Sequence, residues 1–422
     1  MRADTTIRDA WAIAEAAFVR VYPLVTGRRA MALATAVSAP DPATMRAPLN
    51  TLVHGRDTPD TLRSSAWLDL ADEPLVLTVP DTRGRYYALW LRDAWSEVFA
   101  SVGARTTGTW SGAFALLGPR HHGCALPQGL TPIAAPTRTV HLGGRLEAVG
   151  ERPGEDLQWA YDGFRVVPLS QLRGPVDAGP RVPMLRDATP LPIEDMDATA
   201  FFAEVMRLAE QEPPDLEVRV VLGRLRELVE REPLAPGLAV GLARGRAAVH
   251  AEAQRLRPLT RSGWMVDPGA SPRGVDYVAR AAATHVGRDA DPAADTVVAR
   301  LGTDADGLPL SSDHRYVLRF APDAPPPADG FWELTAYGGD PARARSSGDL
   351  HGLALDPDGA LAVHVQREPP DRARRSNWLP TPAGAFTLAL RLYWPRDEAL
   401  EPTWSPPQLH RLRDARLPSH SA

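Results

Sequence analysis

Residues 85–95 read RYYALWLRDAW, an extended stretch with two arginines and an aspartate among its aromatics. Alternate side chains of a strand point to opposite faces. Arg85, Tyr87, Leu89, Leu91, Asp93 and Trp95 would therefore share one face, and Tyr86, Ala88, Trp90, Arg92 and Ala94 the other. Arg105 lies beyond a turn in GARTTGT. A carboxylate held by arginines stays ionised with a depressed pKa. It can orient a substrate hydroxyl but is a weak general base. The same residues also fit a structural ion pair, in which Asp93 takes Arg105 first and Arg85 second. Asn377 is one of two asparagines in the chain, the other being Asn50. Its amide suits fixing a ligand or a turn bonding its own backbone. The candidate catalytic residues are thus Asp93, Arg105 and Asn377. Arg85, Tyr87, Trp95, Trp67 and Trp378 are candidate substrate-binding residues. With Trp332 and Tyr393, these aromatics suit stacking on a sugar or aryl ligand, and equally suit a sandwich core.

Other chemistries are poorly served. RHHGC, Arg120 to Cys124, puts histidines beside the single cysteine, but adjacent strand residues face opposite ways and zinc spacing is missing. His314, His351, His364 and His410 stand apart, so no metal site and no cofactor are expected. There is no lysine, which excludes Schiff-base chemistry, pyridoxal phosphate on a lysine and a Walker-type loop. No G-x-S-x-G elbow, HExxH helix or glycine-rich dinucleotide loop occurs. A net charge of -5 gives no reason to expect nucleic acid. No apolar run has membrane length and no secretory signal is read, which favours the cytoplasm.

The elements that must position these residues change period along the 422-residue chain. IRDAWAIAEAAFVRVYPL has helical spacing, with Pro23 expected to stop it. From about Leu62 to Leu172 short strands alternate with Gly and Pro. WLDLADEPLVLTVPDTRGRYYALWLRDAW reads as two strands joined in a hairpin. A Pro-rich joint, GPVDAGPRVPMLRDATPLP, leads to helices near Asp195–Ala283. There Gly237, Gly241 and Gly245 recur four apart, the spacing of close helix packing. From Tyr316 the period is two again, in YVLRFAP, GFWELTAYG, ALAVHVQRE and AFTLALRLYWP. The domains expected are a helical lead (1–45), a β domain (46–175), the joint and helices (176–305) and a second β domain (306–422).

Two stretches carry a family resemblance. DTLRSSAWLDLADEPLVLTVPDTRGRYYALWLRDAWSEVFASVGARTTGTWSGAFALLGP resembles the bacterial domain of unknown function 1254. GFWELTAY, LDPDGALAVHVQREPPD and RSNWLPTPAGAFTLALRLYWP resemble domain 1214. The resemblance implies two β-sandwich, jelly-roll-like domains with a helical insertion, in a homo-oligomer, and implies little about activity. This chain departs from the pattern at Asp57-Thr58, at Arg63 where a Tyr is usual, and in the short loop GGDPARARSSGD. Two functions fit: a cofactor-independent enzyme acting on a small polar or glycan-like molecule between the β domains and helices, or a non-catalytic ligand-binding or assembly protein.

Overall fold

The computed structural model describes residues 7–58, 61–148, 158–173, 193–229, 234–255, 260, 262–267, 276–287, 291–338, 345–346, 352–401 and 404–412. The Pro-rich joint, most of the GGDPARARSSGD loop and His351 lie outside them. The chain opens with α1 (Ile7–Thr35). It continues through β1 (Val53–Thr58), β2 (Thr61–Asp69), β3 (Leu75–Val79), β4 (Tyr87–Arg92), β5 (Val98–Gly103), β6 (Gly112–Leu117), β7 (Thr131–Ala134) and β8 (Thr139–Glu147). After α2 (Gln158–Gly163) and β9 (Arg165–Pro168) come the long helices α3 (Ala198–Gln211), α4 (Leu216–Val229) and α5 (Ala235–Arg255). Next are β10 (Met265–Asp267), α6 (Tyr277–Gly287), β11 (Thr296–Leu301), β12 (Arg315–Phe320), β13 (Ala328–Tyr337) and β14 (Arg345–Ser346). β15 (Leu361–Gln366), β16 (Trp378–Pro380), β17 (Thr387–Pro395), α7 (Asp397–Leu400) and β18 (Leu409–Leu412) complete it.

The strands make two sandwiches. In the first, sheet β1-β2-β8-β4-β5 packs on β7-β6-β3-β9. Tyr87, Leu89 and Leu91 of one sheet meet Leu75, Leu77 and Leu116 of the other in a shared apolar core. In the second, β10-β11-β17-β13-β14 packs on β16-β15-β12-β18 around Trp332, Leu334, Leu390 and Val363. The fold is thus α+β and mainly β, with an N-terminal helix and a mid-chain helical segment. Within one sheet Gly143 lies against the Trp90 ring, where a Cβ would come 2.5 Å from the indole nitrogen.

Three local expectations need correcting. α1 does not stop at Pro23; it runs on to Thr35 with Pro23 buried inside it. Only a proline's own N–H and the space near the preceding turn are lost, and burial of Phe18, Val21, Leu24 and Val25 on both sides keeps the helix whole. β3 and β4 are not a hairpin, for they belong to opposite sheets of the sandwich. The stretch read as joint and helices also supplies β10 and β11, both in the second sandwich.

The glycines four apart pack α5 against α1 as their spacing suggests. A Cβ on Gly241 would lie 2.5 Å from the Ala14 Cβ, and Gly237 and Gly245 face Ala10 and Phe18. α3 starts at Asp197, whose Oδ1 accepts the Ala200 amide at 2.7 Å and so satisfies one of the free N–H groups of its first turn. Helices α1, α3, α4, α5 and α6 form one apolar layer, which also takes in Ala94 and Trp95. Among the described residues no helix is long and apolar enough to cross a membrane.

Candidate functional site

The strand of the opening stretch is shorter than its alternation suggests. β4 ends at Arg92, where its register with β5 shifts. Tyr87, Leu89 and Leu91 enter the sandwich core, but Asp93 already lies in a turn and Trp95 leaves the sheet for the helices. Asp93 is 8% exposed. Its Oδ1 accepts the amides of Trp95 and Glu97, each at 2.9 Å, and its own amide donates to the Glu97 carbonyl.

The expected pairing of Asp93 with an arginine is therefore wrong. Arg105 gives its Nε to Asp295 Oδ1 at 2.8 Å, and Arg280 of α6, whose charge reaches Asp93, holds Glu97 at 2.5 Å. Arg85 sits half-buried before β4, its amide on Thr82. Without a cation in contact, burial dominates and raises the Asp93 carboxyl to about 7, opposed by the two amides. The depressed pKa read from the sequence is reversed.

The turn borders a small cavity, about 20 Å³, between the helices and the first sandwich. α1 contributes Leu24, Gly27, Arg28 and Met31; α3 and its cap contribute Leu208, Gln211 and Glu212; Trp67, Ala94 and Thr139 close it. Trp67 stacks on His141 with ring centroids 4.4 Å apart. Glu212 spends one oxygen on the Arg138 amide and the other on the Thr139 amide, each at 2.9 Å. Burial raises its pKa too. The Arg28 guanidinium lies 4.0 Å from the Met31 sulfur.

A second polar cluster lies in the seam between the sandwiches. The β4 face opposite Tyr87 presents Tyr86, Ala88 and Trp90 to Phe331 and Tyr393. The Phe331 and Tyr393 rings stack at 4.2 Å, and the Tyr86 hydroxyl donates to the Asp295 carbonyl. Glu333, fully buried, accepts from Thr58 Oγ1 at 2.8 Å, Arg391 at 3.0 Å and the Tyr393 hydroxyl at 3.3 Å. Burial, and then the nearby carboxylates, hold the phenols of Tyr393 and Tyr86 protonated well above their usual range. Arg145 meets Asp291 at 3.2 Å, and Asp295 takes Arg105 and Ser101. Glu333 and Arg391 carry a sequence signal: Glu333 is the one charge in the apolar run FWELTAY of β13, Arg391 the one charge of β17, and register pairs them.

The candidate catalytic residues do not come together. Asn377 is buried in the second sandwich, exchanging hydrogen bonds with the Ala354 backbone (2.7 and 2.6 Å) and donating to Ala362 at 2.9 Å. Trp378 gives its indole N–H to Gln366. Tyr87 and Trp332 are core, Tyr393 is in the seam, and Trp67 alone of the candidate aromatics lines the cavity. His122 bonds the Ala135 carbonyl, Cys124 is exposed, and His364 is buried with a lowered pKa. Among the described residues no three of His, Cys, Asp and Glu are grouped to hold a metal.

The model of the protein family of unknown function DUF1254 matches residues 46–168, and that of DUF1214 matches 295–397. Thr58, Arg145 and Arg105 of the seam come from the first match; Asp295, Glu333, Arg391 and Tyr393 come from the second. No curated protein matches the chain. Among solved structures, the VPA0106 protein from Vibrio parahaemolyticus aligns with a TM-score of 0.76 at 23% identity, over 96% of this chain and all of its own; the likeness is one of fold. An uncharacterized protein from Burkholderia cenocepacia aligns over 96% of this chain and 94% of its own, with a TM-score of 0.41 at 13% identity.

Proposed function

The chain belongs to the proteins that join a DUF1254 domain to a DUF1214 domain, a pairing that carries no activity with it, and from the cavity's own chemistry we propose that it binds a small planar molecule between α1, α3 and the first sandwich. The carrying observation is the lining: an indole, a thioether and two leucines around one guanidinium, one carboxamide and the amide-bonded Glu212 carboxyl. Ligand sites are concave and mostly apolar, with a few polar groups that fix orientation. The cavity's free volume of about 20 Å³ is room for about one water and lies well below such sites, so a ring enters only as the wall side chains move apart.

Binding is favoured over catalysis because Arg105 and Asn377 are each engaged elsewhere and Glu212 spends both oxygens on backbone amides. An aromatic ring bearing one acid group matches the lining's chemistry best, its ring on Trp67 and its acid toward Arg28. Benzoate is the simplest probe. Calorimetry should show binding that Trp67→Ala weakens about tenfold, the scale of one lost aromatic pair. Arg28→Gln should weaken benzoate and spare benzyl alcohol. Equal affinity of wild type and Trp67→Ala would place any binding elsewhere and end this reading.

A further inference from the structure

One hydrogen-bonded path connects the buried Asp93 turn to the cavity. Asp93 Oδ1 organises residues 95–97 by accepting two of their amides. Within that turn the Ala94 amide donates to Thr137 Oγ1 at 3.0 Å, and the Thr137 hydroxyl donates to the Thr139 carbonyl at 2.8 Å. The Thr139 amide donates to Glu212 Oε1 at 2.9 Å. Ala94, Thr139 and Glu212 are all cavity wall. A displacement of the turn is thus carried to the wall through direct bonds. Ser96, at the turn's tip, holds a left-handed φ of 68°, a conformation that surrounding bonds must maintain.

The charges around Asp93 come from several elements. Glu97 is on the same turn. Arg280 of α6 pairs with Glu97, and its guanidinium lies 5.1 Å from the Tyr277 ring, which Arg20 of α1 approaches to 4.5 Å. The Tyr277 hydroxyl bonds Asp215 and Glu217 at the start of α4. On the sheet side stand Arg92, which is 1% exposed, and His141 opposite it on β8. At the far end of the path Arg138, itself paired with Asp69, adjoins Glu212, and Arg28 also lines the cavity.

We propose that the cavity is a proton-linked site, which holds its ligand when Asp93 is protonated and releases it when Asp93 loses that proton to solvent. The inference rests on the ligand reading above and adds its regulation. With Asp93 neutral, Arg280 answers the Glu97 carboxylate. Once Asp93 ionises, its buried carboxylate and the partly exposed one of Glu97 share that cation, and the turn relaxes toward Arg280 or toward water, taking Ala94 with it. Desolvation brings the transition into the neutral range. Asp93 is a positioning residue, acting on the cavity through Ala94 and Thr137.

Two measurements separate this inference from the reading it rests on. Benzoate keeps its own charge between about pH 5.5 and about pH 8.5, since carboxylic acids titrate near 4. Its affinity for the wild type should fall about tenfold across that range and stay level in Asp93→Asn. An identical pH profile in both proteins overturns the proposal. If benzoate binds at no pH, the benzoate reading fails alone, and the ¹⁵N amide resonances of Ala94 and Thr139 decide the proton linkage. Both should titrate together near pH 7 in the wild type and hold still in Asp93→Asn; a Thr139 resonance that does not move overturns it. Should Asp93→Asn not fold, Glu97→Gln serves instead. Removing the neighbouring negative charge must lower the common midpoint, and an unmoved or raised midpoint overturns the proposal.

Discussion

The seam and the Asp93 corner both bury carboxylates, and they treat them in opposite ways. In the seam each acid meets a guanidinium: Glu333 with Arg391, Asp295 with Arg105, Asp291 with Arg145. At the corner Asp93 and Glu212 are held by backbone amides, and among the described residues no cation touches Asp93. An amide dipole offsets less of the desolvation of a full charge than a guanidinium does, so burial wins at the corner. The first arrangement fixes a charge and locks two domains. The second leaves a proton loosely held at neutral pH.

The largest expected effect breaks the seam. Arg391→Ala leaves the Glu333 carboxylate buried without its cation and should cost about 3–5 kcal/mol in urea unfolding. Replacing both residues, Glu333→Leu with Arg391→Met, should recover most of that loss. A single variant as stable as wild type would mean that the seam pair is not a lock.

Next comes the corner, with the opposite sign. The folded Asp93 carboxyl keeps its proton up to about 7 while an unfolded one releases it near 3.8. Its contribution to stability is therefore fully present below about pH 4 and is lost as pH rises toward 7. Asp93→Asn keeps the accepting oxygen and cannot ionise, so it should gain stability at pH 8, by at most about 4 kcal/mol, and little at pH 4. Melting curves at both values check it; destabilisation at pH 8 would show that the ionised form is the one the fold prefers.

Asn377→Ala sharpens the contrast by removing a buried group that carries no charge. It should cost about 1–3 kcal/mol, with the same loss at every pH from 5 to 8. Smallest of all is Arg319→Gln, which releases an exposed arginine from Asp356 and Asp358 on the second sandwich. Exposed pairs contribute little, and the melting temperature should not move measurably.

Much of the architecture was legible because strand and helix periods differ and because Gly237, Gly241 and Gly245 mark a contact face. The corner was not, since Asp93 continues the alternation of β4 on paper while its register shift and turn take it off the sheet. The error over its pKa has the same origin. Sequence places Arg105 twelve residues from Asp93, but Asp295, about 190 residues further on, takes that guanidinium. Pro23 misled because the reading weighed one lost N–H and could not weigh the apolar layer that spans it. Trp67 could be named as a candidate aromatic by its type; that α1 and α3 wall the cavity it lines is a tertiary fact.

The glycine stripe joining α5 to α1 has a consequence for how the chain is made. The helix that ends at residue 35 finds its main partner in one that starts at residue 235. At roughly 5–20 residues per second, a ribosome needs about 10–40 s to bridge that interval. For that time the Ala10, Ala14 and Phe18 edge of α1 has no glycine groove to enter, while the first sandwich, complete by residue 168, can already close. α1 is thus made well before it can be seated, and newborn chains stalled before residue 235 should be the ones that chaperones hold.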